Sequence, residues 1–83
     1  MQTIIVEVYL PATSENHDFR LPSEARIGDL TREMARILEA TQRNLAVDPD
    51  YPLLCERDGG RILPDWQTVA EAGLKDGSRL LLL

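Results

Sequence analysis

A single amphipathic helix, set between strand-like segments, is the feature that most limits how this chain can fold. From Ile27 to about Asn44 the apolar residues recur at three- and four-residue spacing, the period of a helix with one buried face. Charged residues occupy the rest of the wheel. A lone helix of this kind buries its stripe most economically by lying across one face of a β-sheet. The predicted stripe comprises Ile27, Leu30, Met34, Ile37, Leu38 and Leu45.

The segment before the helix is predicted to form a hairpin. The first strand alternates, with Ile4, Val6, Val8 and Leu10 on one side and Ile5, Glu7 and Tyr9 on the other. The charge on Glu7 indicates that the second side is the more solvent-exposed one. A turn-rich loop over residues 11–16, with His17 in the turn, leads to a second strand at about Asp18–Leu21.

After the helix, the chain is predicted to return to the sheet. The expected order is a third strand Tyr51–Arg57, a tight turn at Asp58-Gly59-Gly60, a short fourth strand Arg61–Leu63, a short helical segment Thr68–Ala72 and a final strand Arg79–Leu83. The order ββαββ, short helix, β, with an apolar last strand pairing centrally beside the first, defines a β-grasp. We predict an α+β fold with a mixed sheet, forming one domain over residues 1–83.

The composition of the chain argues against several classes of function and cellular location. The net charge of −5 is spread along the chain, which disfavours nucleic acid as a partner. A single cysteine excludes an intrachain disulfide. The N-terminus lacks the features of a signal peptide, and the longest apolar run, Leu80–Leu83, is far shorter than the roughly 20 residues that cross a bilayer. We therefore expect a cytoplasmic protein without direct membrane insertion.

Several stretches resemble ubiquitin-like domains, and the resemblance covers nearly the whole chain. Met1–Val6 is similar to the family's opening strand, Arg26–Leu30 to its helix start and Asp58–Ile62 to its third hairpin. Thr68–Leu80 carries the most specific likeness. The resemblance implies that two residues there close the end of the sheet, two glycines turn the chain and a leucine enters the core: Val69 and Leu74, Gly73 and Gly77, and Leu80.

The length and the Ile-Gly-Asp-Leu helix start resemble, within those proteins, the bacterial YukD/EsaB group that accompanies type VII (WXG100, ESX-like) secretion systems. This resemblance implies a non-catalytic, cytoplasmic accessory protein that needs no cofactor. Its expected partner is another protein, with a membrane component or an ATPase of the secretion complex as candidates. The oligomeric state stays open between a monomer and a weak homodimer.

A covalent modifier or sulfur carrier is the alternative function. Such β-grasp proteins end in a flexible Gly-Gly whose carboxylate is adenylated, whereas Gly59-Gly60 lies inside a predicted turn and the sequence runs to Leu83 within the last strand. We therefore expect neither chemistry. A third hypothesis, an enzyme subunit or an RNA-binding β-grasp domain, is disfavoured by the acidic charge.

No residue pattern favours catalysis or metal binding. Cys55 is predicted to point inward beside Leu53 as a small hydrophobe, with no base placed near it in sequence. His17 is the only histidine, and the aspartates Asp48, Asp50 and Asp58 lack the spacing of a calcium loop. We predict neither a catalytic residue nor a metal site.

The outer face of the sheet is the predicted contact surface. If Leu80 and Leu82 face the helix, then Leu81 and Leu83 face outward, and the same alternation places Leu54 with them, beside Ile5 and Tyr9. These five residues are candidates for partner contact, unless they form a dimer face or are covered. Trp66 either packs on the short helical segment or serves as an interface anchor.

Overall fold

Within residues 2–11, 13–41 and 52–83, which the computed structural model of the chain describes, the elements follow the predicted hairpin–helix–sheet order. They are β1 (Thr3–Leu10), β2 (Glu15–Pro22), α1 (Ile27–Thr41), β3 (Leu54–Glu56) and β4 (Arg79–Leu82). The second strand is longer than predicted, and it contains His17, which was placed in the turn. The predicted end of the helix at about Asn44, the stripe residue Leu45, the aspartates Asp48 and Asp50 and the predicted start of the third strand at Tyr51 lie outside the described residues.

The sheet is mixed, with the strand order β2-β1-β4-β3. β1 pairs antiparallel with β2 and parallel with β4, while β3 pairs antiparallel with β4. The last strand therefore lies centrally beside the first, which confirms the β-grasp. β1 and β4 can pair in parallel because the chain between them crosses over through α1.

The hydrophobic core lies between α1 and one face of the sheet, here called the inner face. Helix and sheet residues belong to one buried cluster, so the helix covers the inner face and leaves the opposite, outer face uncovered by it. The sheet contributes Val6, Val8, Leu10, Leu21, Leu54, Leu80 and Leu82; the helix contributes Ile27, Met34, Ala35 and Leu38; the connecting segment contributes Leu63, Val69 and Ala72.

The buried stripe of α1 differs from the prediction at two positions. Ile37 is 46% exposed, because it lies about 100° around the helix from Leu38 and falls beside the stripe. Thr31 is buried instead. Its hydroxyl donates to the carbonyl oxygen of Ile27 at 2.7 Å, which satisfies the polar group inside the core.

The N-terminus of α1 is capped by backbone from the segment after β3. The N–H groups of Ile27 and Gly28 donate to the carbonyl oxygens of Gln67 and Asp65, at 2.8 and 3.0 Å. These contacts replace the side-chain cap that the sequence lacks, because the first N–H groups of a helix have no partner within it. The fit at position 28 is tight: a Cβ there would lie 2.9 Å from the Cβ of Asp65, so the loop would have to shift to admit a side chain.

Two short predicted elements are absent from the described residues. The fourth strand, Arg61–Leu63, is reduced to one bridge between Ile62 and Cys55, since Pro64 has no N–H to extend the ladder and the chain turns away to cap α1. The helical segment Thr68–Ala72 is a run of turns that stops at Gly73, whose φ is 77°. Val69 and Leu80 are both fully buried, which confirms that Leu80 enters the core.

Candidate protein-interaction surface

The outer face of the sheet carries alternate residues of each strand. Direct cross-strand partners project to the same side, so Tyr9, Leu81 and Cys55 share this face, because Leu81 lies opposite both of the others. Ile5 and Glu7 follow from the alternation along β1. The predicted outward placement of Leu81 and Leu83 in the closing strand and of Ile5 and Tyr9 in the first strand is therefore confirmed.

The predicted outward placement of Leu54 is wrong. Leu54 pairs with Leu82 on the inner face, and both are almost fully buried, at 2% and 1% exposure. Because side chains alternate with a period of two, a shift of one residue exchanges the faces of a whole strand. Cys55 and Leu53, which were expected to point inward, accordingly belong to the outer face.

An apolar patch lies where β3 and β4 meet on the outer face, and we define it as Leu53, Cys55, Ile62, Leu81 and Leu83. Leu53 and Leu83 exchange two backbone hydrogen bonds, N–H to C=O in each direction, at 3.0 and 2.9 Å. Their side chains are therefore held side by side, 44% and 46% exposed. Ile62, bridged to Cys55, is 57% exposed. The sequence prediction missed Leu53 and Ile62.

Charged residues border the apolar patch along β1. The guanidinium of Arg57 stands over the ring of Tyr9, 4.8 Å from its centroid, and lies 3.7 Å from a carboxylate oxygen of Glu7. Arg79 is paired with Asp58 at 3.0 Å. Tyr9 is consequently half-buried under a cation, and it forms the margin of the patch.

Ile5 lies on the outer face towards the start of β1. Its side chain is 48% exposed. Its backbone is fixed on both sides, because its N–H donates to Asp76 Oδ1 and its carbonyl accepts from Gly77. Ile5 is therefore a rigidly held apolar contact, separated from Tyr9 along the strand by the charged Glu7.

Trp66 belongs to the loop that caps α1. Its carbonyl oxygen accepts a hydrogen bond from Arg26 Nη1 at 2.7 Å, and its neighbours on both sides bind the helix N-terminus. The indole is nevertheless 66% exposed. Of the two alternatives, packing on the segment 68–72 is therefore disfavoured, because the backbone of this loop makes the contacts and the side chain is largely exposed.

Cys55 is buried on the outer face, at 5% exposure, and is not part of the main core cluster. Burial raises the pKa of its thiol, since a thiolate would be poorly solvated there. The side chain therefore remains a neutral thiol at neutral pH and behaves as a small apolar group of the patch.

The described residues contain neither a metal-binding cluster nor a helix suited to crossing a membrane. Across residues 2–11, 13–41 and 52–83, no three His, Cys, Asp or Glu side chains cluster so that they could hold a metal ion. In that same portion of the chain, no helix combines the length and the apolar character needed to span a bilayer.

The fold and its open sheet face define a ubiquitin-like protein. The ubiquitin-like domain of EccD5 from Mycobacterium xenopi is similar over 100% of this chain and 94% of its own, with a TM-score of 0.78 and 24% identity. A ubiquitin from Caldiarchaeum subterraneum matches 98% of this chain and 91% of its own, with a TM-score of 0.75 and 17% identity. A chain of the MycP5-free ESX-5 inner membrane complex matches 100% of this chain and 21% of its own length, with a TM-score of 0.76 and 22% identity.

The family model described as "WXG100 protein secretion system (Wss), protein YukD" matches residues 3–82. The chain therefore belongs to the YukD family. Comparison with curated proteins finds no significant match to this chain.

Proposed function

We propose that this chain is a non-catalytic interaction module, accessory to a type VII secretion system, that binds another protein through the apolar patch. Its place of action is the cytoplasm, it needs no cofactor, and residues 1–83 act as one domain. Membership of the YukD family supports the link to secretion. The fold similarity to a chain of an inner membrane complex supports a component of that assembly, such as a membrane protein or an ATPase, as the partner.

The pairing of Leu53 with Leu83 is the observation that carries this proposal. Both side chains keep almost half of their surface exposed although their backbones are fixed by two reciprocal hydrogen bonds. Burying a leucine fully is worth roughly 1.5–3 kcal/mol, so covering the exposed part of each would contribute about 1 kcal/mol. Because the strands already hold both residues in place, little conformational entropy is lost on binding.

Ile5, Tyr9 and Trp66 complete the proposed surface with unequal roles. Tyr9 and the salt-bridged arginine above it form a polar margin, as is usual around the apolar centre of an interface. Ile5 extends the contact along β1. Trp66, exposed on a rigid loop, is a second anchor at the helix N-terminus.

Binding to the purified secretion complex of the native host tests this proposal, with the variant Leu53→Glu/Leu83→Glu. Two charges in the patch should weaken binding by about tenfold or more, corresponding to roughly 1.4 kcal/mol or more. Ile37→Glu is the matched control, because Ile37 has the same 46% exposure as Leu83 but lies on α1. Equal affinities for the patch variant, the control and the natural sequence would disprove the proposed surface.

A further inference from the structure

The free edge of β2 is a second surface suited to binding. β2 is the terminal strand of the sheet, and among the described residues no other strand lies on its far side. Ile5 and Glu7 direct their backbone groups to the segment leading into β4, so Val6, which lies between them on β1, directs its backbone groups to β2. The backbone N–H and C=O groups of Phe19, opposite Val6, therefore point to β1. The same groups of Asp18 and Arg20 point away from the sheet.

Asp18 and Arg20 carry opposite charges on this edge. Both are exposed and project to the outer face, opposite Glu7 and Ile5 respectively. Asp18 thus faces a like charge, which is unfavourable for directly opposed residues. Of the ion pairs between described residues, none includes Asp18 or Arg20. Two complementary charges, two residues apart, are left without an ionic partner within the described chain.

We propose that β2 pairs antiparallel with β2 of a second copy of this chain, about a two-fold axis at Phe19. This register places Asp18 opposite Arg20 of the partner subunit and Arg20 opposite Asp18 of the partner subunit. The outward N–H and C=O groups of these residues then form four backbone hydrogen bonds. Phe19, half-buried at its own core, meets Phe19 of the partner subunit on the axis.

The charges select this register over its neighbours. An axis at Asp18 would set the two Asp18 carboxylates directly opposite each other, which is unfavourable. An axis at His17 would place Arg20 opposite Ser14, which lies before the start of β2. Beyond Phe19, Pro22 lacks an N–H and limits how far the ladder extends.

The assembly would be a continuous eight-stranded sheet with both helices on one side. The axis runs perpendicular to the sheet, so both outer faces also share one side. The two β4 strands would be about 24 Å apart, from five strand spacings of about 4.8 Å. The dimer would thus present two apolar patches in parallel. Self-pairing does not require either patch to bind, so this proposal and the proposed function can fail separately.

Sedimentation equilibrium tests the pairing. At rising concentration the apparent mass should increase towards twice the 9.3 kDa of the single chain. Asp18→Arg and Arg20→Asp each place like charges opposite one another, so each variant alone should dimerise about tenfold more weakly. An equimolar mixture of the two should regain dimerisation, because every cross-strand pair is again opposite in sign. A mass of one chain at all concentrations, or dimers unchanged in both single variants, would overturn the proposal.

Disulfide trapping tests the register in a chain carrying Cys55→Ser. In the proposed pairing two cysteines replacing Phe19 lie on the axis, with Cα atoms about 4.5 Å apart, which a disulfide can bridge. Cysteines replacing Asp18 lie one residue from the axis on opposite sides, so they are two residues out of register with each other. Phe19→Cys should therefore cross-link faster than Asp18→Cys, with folding of both checked by circular dichroism. Faster cross-linking of Asp18→Cys would overturn this register, and loss of structure in Phe19→Cys would leave the charge-reversal mixture as the deciding measurement.

Discussion

The backbone N–H of Ile5 donates to Oδ1 of Asp76 at 2.8 Å. The next residue, Gly77, donates its own N–H back to the carbonyl of Ile5 at 2.9 Å. A side-chain carboxylate thus takes the place of a strand carbonyl where the parallel pairing of β1 and β4 begins. This contact joins residues 71 positions apart, so Asp76 helps to fix the closing strand at the centre of the sheet.

Replacing Asp76 with alanine should lower the free energy of unfolding by about 1–2 kcal/mol, because the N–H of Ile5 loses a charged acceptor. Water at this exposed site limits the loss. Asp76→Asn keeps an oxygen at the same position and should be less destabilising. Urea unfolding of the three proteins gives the comparison. Equal stability of the alanine and asparagine variants would show that the hydrogen bond contributes little.

Gly28→Ala should destabilise the fold by about 1–3 kcal/mol, the usual cost of forcing extra volume into a packed site. The new Cβ would lie 2.9 Å from the Cβ of Asp65 and 3.2 Å from its backbone oxygen. The loop would have to move away from the N-terminus of α1, so the capping bonds would lengthen.

Gly59→Ala is the matched control for this substitution. A Cβ there would meet only a carboxylate oxygen of Glu56, at 3.6 Å, which is ordinary contact. Its thermal unfolding midpoint should stay close to that of the natural sequence. A Gly28→Ala variant as stable as the control would mean that the loop yields easily and that the close approach is not required.

The sequence is informative wherever the hydrophobic period is clear. The alternation in β1 and the helical spacing from Ile27 place the hairpin, the helix and the central closing strand correctly. The segment from Pro52 to Cys55 is uniformly apolar, so no alternation tells which side faces the core. Its register is set by pairing with β4, a long-range contact. Leu54 was therefore assigned to the wrong face, and the Leu53 position of the patch was missed.

Thr68 and Glu71 form a reciprocal cap at the start of the turn segment. The Thr68 N–H donates to Glu71 Oε1 at 2.9 Å, and the Glu71 N–H donates to Thr68 Oγ1 at 3.1 Å. The hydrogen bond from the Thr68 backbone, then that from its side chain, lowers the pKa of the Glu71 carboxyl. The charged form is therefore favoured by folding.

The lowered pKa of Glu71 predicts a pH-dependent contribution to stability. It is fully present above the ordinary carboxyl pKa and is lost as pH falls through the lower folded-state value. Glu71→Gln retains an acceptor but cannot titrate, so its stability should fall less steeply than that of the natural sequence below about pH 4.5. Unfolding midpoints measured from pH 6 down to about pH 3 test this. Parallel curves for the two proteins would contradict the assignment.

Cys55 should react slowly with thiol reagents in the folded protein. Its pKa is raised by burial, so at pH 8 the native thiol has a smaller thiolate fraction than the unfolded chain, and the thiolate is the reactive form. Burial of the neutral thiol therefore contributes fully to the free energy of unfolding when the pH is below the thiol pKa of the unfolded chain. This contribution is lost as the pH rises through the higher pKa of the folded protein. Leu81 lies directly opposite Cys55, so Leu81→Ala should speed alkylation, whereas Leu83→Ala, opposite Leu53, should not. Alkylation rates followed by mass spectrometry test this prediction, with the rate of the urea-unfolded chain as the upper limit. Equal acceleration in both variants would mean that general opening of the sheet, rather than removal of the Leu81 side chain, exposes the thiol.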